Sequence, residues 1–243
     1  MRIPRFYIEQ SLQVGLRVDL PKDIHRHAIQ VLRLKVNDVL ILFNGEGGEY
    51  LTTLATVKKR HSSVNIISYE EVDRESPLEI TLALAMIKAD KMDFALQKAV
   101  EMGVDTIQPL DTKRSVVRLK ANRIDKKIAH WDGVMRAACE QSGRTHIPQL
   151  HVPTTLESWL QIPFSTLCVA MLPEAHSDIA SLNSPENKRM TLLVGPEGGF
   201  TDQEVGLLLS SNIKGIQFGP RILRAETAVI AGIALCQQQW GDL

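Results

Sequence analysis

MTLLVGPEGGFTDQE, residues 190–204, runs from an apolar segment through a glycine loop into a helix start, and the fold follows from how it is read. Leu192, Leu193 and Val194 form a short buried-strand pattern. Gly195, Pro196, Gly198 and Gly199 are turn formers, the glycines free to take positive φ. Thr201 with Glu204 three residues on is a capping box, which predicts a helix from Asp202 carrying Val205, Leu207, Leu208 and Leu209. Strand, loop and helix in that order are the unit of an open α/β sheet, whose ligands bind in the crevice beyond the carboxyl ends of the strands. Taken singly, such a loop is equally an ordinary βα turn. Residues 216–228, IQFGPRILRAETA, repeat the arrangement: an apolar strand, a turn at Gly219 and Pro220, two arginines, then Glu226 and Thr227 opening an apolar helix. Two loops roughly 20 residues apart in one sheet predict a shared pocket, and the pair is far more specific than either alone.

The 243 residues suffice for two domains or one large one, and 44% hydrophobic content fills a core. Lys plus Arg and Asp plus Glu both number 28, so no overall field draws the chain to nucleic acid or membrane, and any basic surface is local. Cys139, Cys168 and Cys236 are widely spaced in apolar surroundings and read as reduced core thiols of a cytoplasmic protein, not as disulfide partners or metal ligands. The first residues carry no apolar leader and no run reaches the roughly 18 apolar residues of a membrane span, so neither secretion nor membrane insertion is expected.

Residues 1–72 are strand-rich, with strands at 6–8, 14–20, 39–43, 50–57 and 64–67, a hairpin turn at Asn44 and Gly45, and one helix over residues 23 to about 34 carrying Ile24, Ala28, Val31 and Leu32. This pattern reads as a small β-barrel. Arg2, Arg5, Arg26 and Arg33, with His25 and His27, offer cations to phosphates; a solvated polar face is the other reading. The charged turn-forming stretch 73–77 marks a domain boundary, giving a second domain over 73–243. Residues 80–87 are an almost unbroken apolar run, as in a strand buried on both faces of a parallel sheet. A helix with Met92, Leu96, Ala99 and Val100 on one face stops at Gly103, and a strand returns over 106–110, completing a βαβ unit. Residues 113–127 hold seven basic residues against one acid, either a solvated edge or a track for RNA phosphates. The following helix should bury Ile124, Ile128, Trp131, Val134 and Ala138, a strand is expected over 166–172, and the last helix, 226–240, is apolar on nearly every side, suited to burial within a domain or between subunits.

LLVGPEGGFT from Leu192, FGPRILRAETA from Phe218, KMDFALQKAVEMGV from Lys91, ACEQSGR from Ala138 and RIPRFY from Arg2 together resemble the RsmE-type 16S ribosomal RNA uridine methyltransferases of the SPOUT superfamily, and the likeness covers nearly the whole chain. The resemblance implies a PUA-like β-barrel followed by an α/β domain with a deep trefoil knot, a homodimer, S-adenosylmethionine as methyl donor, and 16S ribosomal RNA or the small ribosomal subunit as partner. It also implies a cofactor pocket built from Met171, Leu172, Leu193, Gly195, Pro196, Glu197, Gly199, Phe218, Gly219, Ile222, Leu223, Arg224 and Thr227. A glycine loop without a lysine suits that donor, which carries adenine, ribose and a sulfonium but no phosphate. Arg224 and Glu226 lie just past the second turn, where Arg224 is placed to hydrogen-bond a uracil carbonyl and Glu226 to accept the ring proton or hold Arg224; capping its own helix is the plainer role for Glu226. Arg114, at a strand end, is expected to contact RNA or the same site.

Overall fold

Period-two alternation in the first third and apolar runs in the rest sort the chain into two units in the computed structural model, which describes residues 3–117, 121–163 and 166–243. One unit takes residues up to Glu75 together with Cys139–Ile147; the other takes Ser76–Ala138 and Pro148–Leu243.

The first unit contains β1 (Arg5–Tyr7), β2 (Arg17–Asp19), α1 (Lys22–His25), β3 (Val39–Phe43), β4 (Glu49–Lys58) and β5 (His61–Glu70). Its strands form one sheet in the order β1-β3-β4-β5-β2, antiparallel except for the β1–β3 pair. Bulges at Leu51/Thr52 and Leu54/Thr56 bend the long β4–β5 hairpin around a core that includes Phe6, Leu40, Leu42, Leu54 and Val64. The helix expected over 23–34 is cut short. After α1 the backbone widens into a π-helical stretch, Arg26–Val31, in which Leu32 N–H bonds to His27 O at 2.9 Å, and Arg33 stops it with φ 57. The wider turn breaks the i, i+3, i+4 spacing, so Ile24 and Ala28 stay in the core while Val31 and Leu32 are 64% and 42% exposed.

The second unit contains β6 (Glu79–Ala85), α2 (Ala89–Glu101), β7 (Thr106–Asp111), α3 (Ile124–Ser142, whose last turn belongs to the first unit), β8 (Gln149–Leu150), β9 (Thr154–Thr155), α4 (Leu156–Trp159), β10 (Leu167–Met171), β11 (Arg189–Val194), α5 (Asp202–Ser210), β12 (Lys214–Ile216) and α6 (Ala225–Trp240). Every strand pair in its seven-stranded sheet is parallel, in the order β12-β10-β11-β6-β7-β8, with β9 also on β7. Leu82, Ala83, Leu84, Leu192 and Leu193 in the central strands are fully buried, as an apolar run in a sheet flanked by helices requires. On α3 the buried stripe is Trp131, Met135, Ala138 and Cys139; Val134, Ile124 and Ile128 are only half-buried, one step off the face expected. After edge strand β12 the chain doubles back so that α6 packs on β11 and α2. Gly232 permits the approach, since a Cβ there would lie 2.8 Å from the Leu192 side chain and 3.1 Å from the Met171 sulfur. Among the described residues no helix is long and apolar enough to cross a membrane.

Candidate active site

β11 delivers the first loop, residues 195–200, at its carboxyl end. Gly195 is needed for packing: a Cβ there would lie 2.9 Å from the Phe200 ring, which folds back over the turn. Gly199, at φ 67, donates its N–H to Pro196 O at 2.9 Å and closes the loop. The capping box is present as the sequence predicts, with Glu204 N–H donating to Thr201 Oγ1 at 3.2 Å and Thr201 N–H to Glu204 Oε2 at 2.8 Å. Glu204 is 1% exposed, and its other oxygen accepts Lys113 N–H at 2.8 Å. Arg114 Nη1 donates to Gly198 O and Phe200 O at 3.0 and 3.2 Å, and Glu197 Oε1 accepts the N–H of Lys88, the residue capping α2, at 3.1 Å. Neighbouring connections therefore brace the first loop on both sides.

β12 delivers the second loop, residues 217–224. Its start is tied to the segment after β10: Gln217 N–H donates to Ser177 O at 2.9 Å and Gln217 Nε2 to Pro173 O at 2.8 Å. Its end is the amino terminus of α6, where Arg224 occupies the cap position with no side-chain capping bond and is exposed. Glu226, 7% exposed, pairs with Lys91 Nζ of α2 at 3.2 Å. Burial works to raise its carboxyl, but the helix-start backbone amide, Lys91 and Arg224 outweigh it and hold Glu226 below the usual carboxylate range.

The two loops and the residues after β10 line a single cavity of about 930 Å³. Of the pocket residues that the resemblance implies, Met171, Leu172, Gly195, Pro196, Glu197, Gly199, Phe218, Gly219, Ile222 and Leu223 line it. Leu193 does not: strand alternation turns it into the core beside Leu110 and Leu208. Arg224, Glu226 and Thr227 lie just outside the lining, interleaved with Ala225 and Ala228, which are part of it. Sequence reading passed over Pro173, His176, Ser177 and Asp202 as lining residues. The signal for the first three was present, because they follow the strand end that carries Met171 and Leu172. Arg114, expected at RNA or the site, lines the cavity through its contacts to the glycine loop.

Among the arginines expected to meet RNA, Arg5 is a correction. It is 8% exposed, pairs with Glu49 at 2.9 Å, donates to Cys139 O at 3.1 Å and lies over the Phe43 ring, so it braces the first unit from within. Arg26 and Arg33 are exposed; Arg2 lies outside the described residues, as do Arg118 and Lys120 of the basic run. Lys113 in that run pairs with Glu157 at 2.8 Å and Lys127 with Asp93 at 3.7 Å. Trp131 is core, 1% exposed. Burial pushes the thiols of Cys139, Cys168 and Cys236 up to about 12, so they stay protonated and unreactive.

Backbone edges and apolar side walls without a lysine in the glycine loop make a site for a flat ring system with polar edges. Known proteins agree. A signature of the RNA methyltransferase domain matches residues 74–237, and one of the RNA methyltransferase PUA domain matches residues 20–67. A ribosomal RNA small subunit methyltransferase E from Buchnera aphidicola subsp. Schizaphis graminum is 34% identical over 243 residues, which cover 100% of this chain and 98% of that one. The chain belongs to the ribosomal RNA small subunit methyltransferase E family. It is a methyltransferase, with a PUA-like unit ahead of a parallel α/β domain. Two solved structures extend the likeness over 100% of both chains. The methyltransferase E of Neisseria gonorrhoeae bound to S-adenosyl methionine superposes with a TM-score of 0.93 at 37% identity. A Legionella pneumophila methyltransferase in complex with the same cofactor superposes with a TM-score of 0.96 at 35% identity.

Proposed function

We propose that this protein transfers the methyl group of S-adenosylmethionine to the ring nitrogen at position 3 of a uridine in 16S ribosomal RNA of the small ribosomal subunit. The observation that carries the reading is the convergence of two strand-end loops on one cavity of about 930 Å³, within the range of small-molecule sites. The residues fit the cofactor. Met171, Leu172, Phe218, Ile222 and Leu223 offer apolar faces to adenine; the backbone at Gly195, Pro196, Gly199 and Gly219 and the Glu197 carboxylate meet polar edges. Leu193 shapes the floor from beneath, and Arg224 and Thr227 stand at the rim.

When bound, the cofactor supplies a methyl group on a sulfonium, open to in-line displacement. The chain must aim the uracil nitrogen, which carries a proton and is a poor nucleophile until that proton leaves. Arg224 donates to a uracil carbonyl and stabilises the negative charge that develops as the nitrogen loses its proton. Glu226, held below the usual carboxylate range, is a weak base, so in this mechanism it holds the start of α6 and Arg224, and the ring proton passes to solvent water.

RNA is gripped by the PUA-like unit, residues 1–72, through Arg26 and Arg33, with Arg114 at the cavity of the 73–243 methyltransferase domain. The carboxy-terminal chain is knotted as in the SPOUT superfamily, and the protein acts in the cytoplasm as a homodimer, the half-buried Ile230, Ala231, Ala234 and Leu235 of α6 meeting a second copy. The test is to incubate purified protein with methyl-labelled S-adenosylmethionine and either 16S ribosomal RNA or small subunits, then identify the labelled nucleoside by mass spectrometry. N3-methyluridine is expected. Label in another nucleoside overturns the uridine reading, and cofactor binding without any transfer points to a non-catalytic assembly factor.

A further inference from the structure

The first turn of α2 touches both walls of the site. Its capping residue Lys88 donates a backbone N–H to Glu197 in the first loop, and one turn on, Lys91 Nζ reaches Glu226 at the start of α6. The Glu226 side chain is 10% exposed and that of Lys91 41%, so a nearly buried carboxylate depends on a cation that is partly in water. The start of the second loop does not need this pair, because Gln217 is bonded to Ser177 and Pro173. What the pair holds is the far end, where Arg224 caps α6 without a side-chain bond of its own.

We propose that Lys91 is a positioning residue for methyl transfer: through Glu226 it fixes the amino terminus of α6, and with it Arg224, relative to the glycine loop. This rests on the functional reading above. If the pair were lost, the nearly buried Glu226 would be left to its backbone amide and the exposed Arg224, and the helix start would shift toward water. Cofactor-facing residues from 171 to 219 would keep their anchors. The consequence is a split between two observables. Displacement of an acting group by about 1 Å costs up to a hundredfold in rate, whereas a cofactor wall held elsewhere keeps its affinity.

The experiment compares wild type, Lys91→Met, Lys91→Arg and the exchanged pair Lys91→Glu with Glu226→Lys. Calorimetry with S-adenosylhomocysteine gives cofactor affinity, and single-turnover methylation of small subunits gives the rate. Lys91→Met is expected to lose between about tenfold and a hundredfold in rate while cofactor affinity stays within about twofold. Lys91→Arg is expected to recover most of the rate, and the exchanged pair part of it. An unchanged rate in Lys91→Met overturns the proposal, as does a loss that appears in cofactor affinity instead of rate or that Lys91→Arg fails to recover. Failure of the wild type to bind S-adenosylhomocysteine would instead defeat the underlying reading of the cavity.

Discussion

The two loops share a sequence plan, strand, Gly-Pro turn, helix, yet they are built to opposite mechanical ends. The first is braced throughout: a capping box, a buried Glu204 bound to Lys113, Arg114 on two of its carbonyls, Glu197 on α2 and Phe200 packed beneath. The second is held at its two ends, by bonds of Gln217 and by the Glu226–Lys91 pair, while Ile222 between them is 87% exposed. A braced loop presents preformed backbone groups with little ordering cost, and a loosely held one closes on what enters. On this comparison, changes in the first loop are expected to register in stability and changes in the second in turnover.

Four measurements break or sharpen that contrast, and the largest effect belongs to the loose loop. Arg224→Ala should slow methylation by about 10²–10³-fold, the usual loss when a donor to a developing anion is removed, with cofactor affinity unchanged by calorimetry. Normal transfer by that variant would remove Arg224 from the chemistry. In the braced loop, Glu204→Ala should cost about 1–2 kcal/mol in urea unfolding, because it removes half of the capping box and a buried carboxylate that accepts Lys113 N–H. If its unfolding midpoint matches wild type, the first loop is not a structural brace.

The third measurement is a pH series. Glu226 is held below its ordinary value of 4.5, so its stabilisation is fully present above 4.5 and is lost as pH falls through the lower folded value. The unfolding free-energy gap between wild type and Glu226→Gln should therefore be constant from about pH 7 to 5 and shrink on further acidification. A gap that widens on acidification would reverse the sign assigned to the Lys91 pair. The smallest effect is Ile222→Ser, which should leave stability within about 0.5 kcal/mol, as exposed positions do, and weaken binding of S-adenosylhomocysteine by a few-fold.

Local grammar explains what could be read in advance. The box at Thr201 and Glu204, the stop at Gly103 and the buried strands each depend on residues within a turn or two, and all appear where the pattern puts them. Periodicity alone misjudged residues whose neighbours are distant. Leu207 and Leu209 share the helix with buried Leu208 yet are 43% and 54% exposed, Leu209 because it faces the cavity. Arg5 looked like a ligand for phosphate because its partner Glu49 is remote in sequence, and a cation's charge does not say which anion it meets. The Lys91–Glu226 pair was invisible for the same reason: it exists only because α6 returns from the sheet edge to lie on α2.

By itself the sequence determined the class of the protein: a strand-rich front, a parallel sheet behind it, and two glycine turns of the kind that accept an adenosyl group, because turn chemistry and hydrophobic spacing are local properties. Tertiary structure alone decided which charges serve the site and which serve the scaffold. That division depends on strand order and on the path of the last helix, which bring residues from opposite ends of the second unit within bonding distance.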